Sequence, residues 1–259
     1  MNIVVCIKQV PDATEIKIDP VTNTLIREGV ESIINPFDLY AIEEAIRLKE
    51  LHGGKITAIS MGPPQVETAL RDTVAMGVDE IILLTDRKFA GADTWATSLT
   101  LAAALKKVEH DLILFGQQAI DGDTAQVGPG VAAHLDIPQV GFVKKVEGIV
   151  DGRITVQRLM EDGYDRIEMP LPAVLTVVKE INIPRLPSLR GKRSAKKAEL
   201  KMMNAADLEL DENEIGLNGS PTQVVSIFSP EMKKGGEKYE LPADQLADIL
   251  HKKLKELGK

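Results

Sequence analysis

Four short apolar runs, residues 3–7, 55–60, 80–84 and 112–115, recur through the N-terminal half of the chain. Stretches with helical periodicity lie between or beside them, at 36–51, 65–76 and 93–108. The runs are continuous rather than alternating, as strands covered on both faces must be. Strand–helix alternation at this spacing implies βαβ units, and so an α/β fold: a parallel sheet with helices on both faces.

Local signals set the boundaries. Asn35-Pro36 reads as a helix start, Asn35 as N-cap and Pro36 at the first helical position. That helix carries Leu39, Ile42, Ala45 and Ile46 on one face, with Glu43, Glu44 and Lys49 expected on the other, and Gly53-Gly54 stops it. Residues 16–26 alternate around Asp19-Pro20 and Thr22-Asn23, which predicts a small hairpin outside the main sheet. From Gly141 the pattern changes. Segments 142–150, 153–159, 165–168 and 173–178 are short strands broken by Asp151-Gly152 and Asp162-Gly163, signals of tight turns. They are expected to form an antiparallel extension of the same sheet.

Beyond Glu180 the packing rhythm fades. Residues 183–201 hold seven basic side chains (Arg185, Arg190, Lys192, Arg193, Lys196, Lys197, Lys201) and one acidic, Glu199; without them, 24 basic stand against 38 acidic residues, a charge of −14. The basic run is either a solvated loop or a docking segment for an acidic partner. Residues 203–230 are polar, and 241–257 form an amphipathic helix with Leu246, Ile249, Leu250, Leu254 and Leu257. The expected division is an α/β nucleotide-binding domain at 1–182 and a C-terminal arm at 183–259 that packs on a partner subunit.

Residues 111–131, DLILFGQQAIDGDTAQVGPGV, are the segment most suggestive of chemistry. A buried strand leads into a loop of small, amide and carboxylate side chains, and a helix is expected to begin near Asp123 or Thr124. Free backbone N–H groups there, beside Gly116 and Gly122, suit a phosphate or pyrophosphate. In open α/β sheets, ligands collect outside the carboxyl ends of strands, where this loop falls. Pro129 and Gly130 would then sit in the second turn, where proline kinks a helix. At least one of Asp121 and Asp123 is expected to cap the helix or bind a ribose hydroxyl, since a carboxylate repels phosphate.

Other chemistries are excluded one by one. A net charge of −8 and an aromatic content of 3% oppose nucleic-acid binding. Cys6, the sole cysteine, permits no intramolecular disulfide, fits a reducing cytoplasm and reads as a small core residue. The start MNIVVCIKQV has no signal-peptide pattern, and no apolar run is long enough to span a bilayer, so a cytoplasmic protein is expected. A calcium loop at Asp121-Gly122-Asp123 fails because Ala125 and Ala132 stand where oxygen ligands are needed. A catalytic pair of these carboxylates has no His or Lys partner nearby in sequence. Neither G-x-G-x-x-G nor G-x-x-x-x-G-K-[ST] occurs, nor a G-x-S-x-G elbow. His52, His110, His134 and His251 lack metal-ligand spacing and read as surface or capping residues; Trp95 reads as helix packing.

Several separated motifs give the chain a family likeness. They are residues 5–12 (VCIKQVPD), 35–38 (NPFD) with 41–45 (AIEEA), 60–63 (SMGP), 75–79 (AMGVD), 116–121 (GQQAID), and Pro184-Arg185 with Ser188-Leu189. In this order and spacing the chain resembles the beta subunit of electron-transfer flavoproteins over nearly its whole length. The resemblance implies a sheet of the adenine-nucleotide alpha-hydrolase-like type, which holds a nucleotide without a Rossmann fingerprint. It also implies an alpha subunit carrying FAD, embraced by the C-terminal arm.

Family members that only accept electrons from dehydrogenases hold AMP in this subunit. The electron-bifurcating and nitrogen-fixation-associated branch carries Asp-Gly-Asp-Thr-Ala-Gln-Val-Gly-Pro, as residues 121–129 read here, together with a second FAD. The resemblance therefore implies FAD in this subunit, with AMP as the alternative. Electrons would come from NADH and pass to an acyl-CoA dehydrogenase and to ferredoxin or flavodoxin. It places Cys6 and Asn35 near the adenosine and Met61 and Gly62 along the nucleotide. Gly116 and Gln118 fall in the strand-end loop, and Asp121, Gly122, Asp123, Thr124, Ala125, Gln126 and Val127 surround ribose and phosphates. Thr94 and Thr97 face the rest of the FAD. Leu189 corresponds to the residue that inserts into a dehydrogenase pocket, flanked here by Arg190 and Lys192. A universal-stress-like nucleotide module without flavin is the rival from another class.

Overall fold

The computed structural model describes residues 1–12, 32–226 and 235–258, together with the backbone of 17–18 and 25–26. Two compact units, Met1–Val225 and Ser226–Lys259, make up the chain.

In the first unit the expected βαβ order is realised as β1 (Asn2–Cys6), α1 (Pro36–His52), β2 (Lys55–Met61), α2 (Glu67–Met76), β3 (Glu80–Leu84), α3 (Thr94–Leu105), β4 (Leu112–Gly116) and α4 (Val127–Leu135). Next come β5 (Gln139–Val150), β6 (Arg153–Met160), β7 (Gly163–Pro170), β8 (Ala173–Val177), a short helix α5 (Leu189–Ala195) and β9 (Leu200–Met203). The nine strands form one sheet in the order β7-β6-β5-β8-β4-β1-β2-β3-β9. From β5 to β9 every neighbouring pair is parallel; β6 and β7 continue that edge antiparallel.

Alternate strand residues point to opposite faces, and each face has its own core. Ile3, Val5, Ile56, Ala58, Leu112 and Leu114 pack under α1 and α2. Val4, Cys6, Ile59, Ile113 and Phe115 pack under α3 and α4. Both clusters are nearly free of solvent exposure. Burial on both faces explains the uninterrupted apolar runs.

Four expectations are corrected. β8 does not extend the antiparallel edge; it returns to lie parallel between β5 and β4, and only β5, β6 and β7 form the antiparallel part. Glu43 and Glu44 are buried, because Arg185 and Asn182 return to cover that side of α1. Asn35 stands at the N-cap of α1 but makes no capping bond with its side chain. α4 starts at Val127, after a left-handed Ala125 with φ of 54°. Pro129 therefore falls in the first turn, where a missing N–H removes no bond within the helix. Residues 183–225 cluster with the first unit: β9 pairs with the edge strand β3, and Ala195, Ala205, Leu208 and Ile215 are buried.

The residue 16–26 hairpin lies largely outside the described residues; its described parts, Lys17–Ile18 and Leu25–Ile26, pair antiparallel outside the main sheet. The second unit contains α6 (Ala243–Glu256), none of whose residues is buried. Among the described residues, no helix is long and apolar enough to cross a membrane.

Candidate functional site

From β1 the chain adds β2 and β3 on one side, then crosses back to place β4 on the other. At such a reversal the loops leaving the two strands diverge and open a crevice at their carboxyl ends. Here those ends are Cys6, paired with Phe115, and the residues that follow each of them.

The crevice floor is organised by a buried carboxylate. Asp38, in the first turn of α1, accepts the Lys8 N–H at 2.7 Å and the Asn35 side-chain amide at 3.0 Å. The Gly116 N–H also donates to it. Burial pushes the Asp38 carboxyl up to about 7, against the pull of these three donors and the Lys8 charge. One side chain thus ties the ends of β1 and β4 to the start of α1. Gly116 is what admits this approach: a Cβ there would stand 2.4 Å from Asp38 Oδ1 and 2.6 Å from the Phe37 carbonyl carbon. Cys6 lies beside it; burial and the neighbouring Asp38 push its thiol well above the usual range, which makes it inert.

Asn35, also buried, carries the floor into the loop. Its amide nitrogen donates to the Gln118 carbonyl at 2.7 Å, and its oxygen accepts the Ile120 N–H at 3.3 Å. Further along, the Lys8 ammonium meets Asp121 at 2.6 Å and the Gln118 amide donates to Asp123 at 2.8 Å. The loop's two carboxylates are thereby engaged laterally, and neither caps α4, whose N-cap is Gln126 without a side-chain bond. The Thr94 and Thr124 hydroxyls are 3.0 Å apart and join α3 to the loop. On the β2 side, the Gly62 N–H donates to the Leu84 carbonyl, which holds the Met61-Gly62 turn against the end of β3.

Beyond the left-handed Ala125, the N–H groups of Val127 and Gly128 begin α4 with no acceptor inside the helix. Gly128 lets this start descend onto the strand ends, since a Cβ there would stand 2.7 Å from Thr176 Cγ2 and 3.3 Å from the Phe115 ring. Gly122, by contrast, has nothing within 4 Å and needs no glycine for space. A helix start with open amides, its positive dipole end over strand termini, is a site for an anionic group.

The structure gathers Cys6, Asn35, Gly116, Gln118, Asp121, Asp123, Thr124 and Thr94 around the carboxyl ends of β1 and β4. Met61 and Gly62 stand at the end of β2, the neighbour of β1 on its other side, and Thr97 lies a turn further along α3. Leu189, Arg190 and Lys192 sit elsewhere, exposed on α5, which packs against α2. Two contributors were not in the sequence-derived set. Asp38 reads in sequence as an ordinary first-turn acid of α1, and Lys8 meets Asp121 only because the fold joins positions 113 residues apart. Among the described residues no group of three or more potential ligands could hold a metal. His134 is no capping residue; it packs edge-on to Trp95, ring centres 4.7 Å apart.

Comparison with known proteins agrees with this architecture. The family described as "Electron transfer flavoprotein domain" matches residues 22–208. The electron transfer flavoprotein subunit beta of Thermoanaerobacterium thermosaccharolyticum is 58% identical over 238 residues, covering 92% of this chain and 91% of its own. The caffeyl-CoA reductase-Etf complex subunit CarD of Acetobacterium woodii is 51% identical over 259 residues, 99% of this chain and 98% of its own. Protein FixA of Sinorhizobium fredii is 46% identical over 239 residues, 89% and 84% respectively.

Proposed function

The chain belongs to the electron transfer flavoprotein family, among the beta subunits, and from that premise we propose that its strand-end mouth holds FAD. In this reading the chain pairs with an alpha subunit. The pair takes electrons from NADH and passes them to an acyl-CoA dehydrogenase and to ferredoxin or flavodoxin by flavin-based electron bifurcation.

The observation that carries the proposal is the α4 start: open amides at Val127 and Gly128, lowered onto the ends of β4 and β8 beside a loop that reads Asp-Gly-Asp-Thr-Ala-Gln. These amides and Thr124 would hold the diphosphate. Asn35 and the wall at Cys6 would meet the adenosine, Met61 and Gly62 would run along the nucleotide, and Thr94 and Thr97 would face the remainder. When bound, FAD supplies the redox chemistry. The chain's own part is binding and orientation. Asp38 and Asn35 hold the loop in place, and Lys8 neutralises Asp121 so that a phosphate nearby meets less repulsion. No side chain here is required to move a proton. The same mouth would suit AMP in a conventional electron transfer flavoprotein, where this chain has no redox role.

An anaerobic NADH titration of the purified alpha–beta heterodimer separates the two. Direct bleaching of the flavin absorbance by NADH is the expected result. A spectrum that NADH leaves unchanged, but that a reduced acyl-CoA dehydrogenase bleaches, would favour the AMP-holding type.

A further inference from the structure

We propose that Arg71 is a positioning residue for partner docking: it fixes the short helix α5 in the orientation that displays Leu189. The inference rests on reading Leu189 as a docking residue.

Ile183, Leu186 and Leu189 are 90%, 88% and 83% exposed, and they line a segment that lacks apolar burial of its own until Ala195. A seven-residue helix has too few internal hydrogen bonds to persist unaided. This one is fastened from outside. At its root, Arg185 donates to Glu43 and Glu50 on α1, and the Asn182 amide donates to the Tyr40 carbonyl. At its start, the Ser188 hydroxyl accepts the Gly191 N–H at 2.9 Å. Gly191 lies against the backbone of α2, where a Cβ would stand 2.1 Å from the Ala75 carbonyl oxygen.

Its far end depends on Arg71. One guanidinium nitrogen donates to the Ala195 carbonyl at 2.6 Å and to the Ala198 carbonyl at 3.1 Å, so the last carbonyls of the segment have a charged partner. Glu67, one turn earlier on α2, accepts from Nε at 2.8 Å and holds the fork in place. Lysine has no second arm with which to reproduce this three-way contact. A docking segment already ordered in its bound shape loses less freedom on association and binds more tightly. The surface it presents, Leu189 with Arg190, Lys192 and Arg193 beside it, fits an apolar pocket rimmed by carboxylates.

The test uses the nucleotide-loaded heterodimer and a purified short-chain acyl-CoA dehydrogenase as probe, with Kd from calorimetry and amide exchange across residues 189–198. R71Q is expected to weaken binding on the order of 10-fold and to speed exchange in that segment, with nucleotide content and melting temperature unchanged. R71K is expected to recover part of the loss. S188A, which removes the N-cap of α5, should shift both readouts in the same direction. L189A should weaken binding without altering exchange at 195–198. If R71Q and S188A bind like the unsubstituted protein while L189A does not, the positioning role is refuted and the docking reading stands. If L189A binds like the unsubstituted protein, the docking reading itself is refuted.

Discussion

Asp38 shows how much of this mouth depends on one side chain. Its ordinary pKa of 3.8 rises to about 7 in the folded protein, chiefly because burial disfavours the charge. Between those values the folded protein keeps a proton that the unfolded chain has released. The stabilisation is therefore complete below the unfolded value and is lost as pH rises through the folded one, a change of about 4 kcal/mol. Urea unfolding followed from pH 5 to pH 8 should show stability falling, and D38N should flatten that fall. Buried Glu44 is also shifted up by burial and will leave a residual slope. An equal slope in D38N and the unsubstituted protein would contradict this account of the floor. Sequence carried only part of the site at this scale. Asn35, Gly116 and residues 121–127 stand in recognisable motifs, but nothing in their local pattern reveals that Lys8 faces Asp121 or that Asp38 joins two strand ends.

Among the elements, α1 is the instructive case. Its limits follow from Asn35-Pro36 and Gly53-Gly54, and the helix occupies Pro36–His52 as the spacing predicts. Its faces do not follow so simply. Glu43 and Glu44 satisfy the rule for a solvated side until Arg185, 142 residues after Glu43, and Asn182 return to cover them. Helical periodicity records what a helix is made of, not which distant segment returns to cover it. R185M leaves Glu43 buried without its cation, an expected loss on the order of 2 kcal/mol, moderated by the partial exposure of the arginine. R185M/E43Q should regain a good part of that loss in thermal or urea unfolding. A double variant no more stable than R185M would mean that the ion pair is not what joins this segment to α1. α4 teaches a related lesson. Composition alone allowed a start at Asp123 or Thr124, but the left-handed Ala125 postpones it to Val127 and thereby sets which amides are free.

For the whole molecule, strand–helix alternation was enough to foresee a parallel sheet with helices on both faces, and the change of pattern after Gly141 announced the antiparallel edge. The ninth strand was not legible. Leu200–Met203 is four residues long and borders a basic run, and it becomes a strand only because the edge of β3 is open to it. In the Ser226–Lys259 unit no residue of α6 is buried: Leu250 is 60% exposed, and Leu257, which follows the helix, is 73% exposed. Such an apolar face suits an alpha subunit as its cover. Truncation after Val225 is accordingly expected to leave the melting temperature of the isolated subunit within a few degrees, yet to weaken heterodimer formation at least 10-fold, a difference of about 1.4 kcal/mol. A truncated chain that pairs normally would rule out that role. The central claim, that the mouth between β1 and β4 holds a redox nucleotide, meets its most direct test in the small molecules released when the purified heterodimer is denatured. The account predicts two FAD per heterodimer and no AMP; one FAD with one AMP would contradict it.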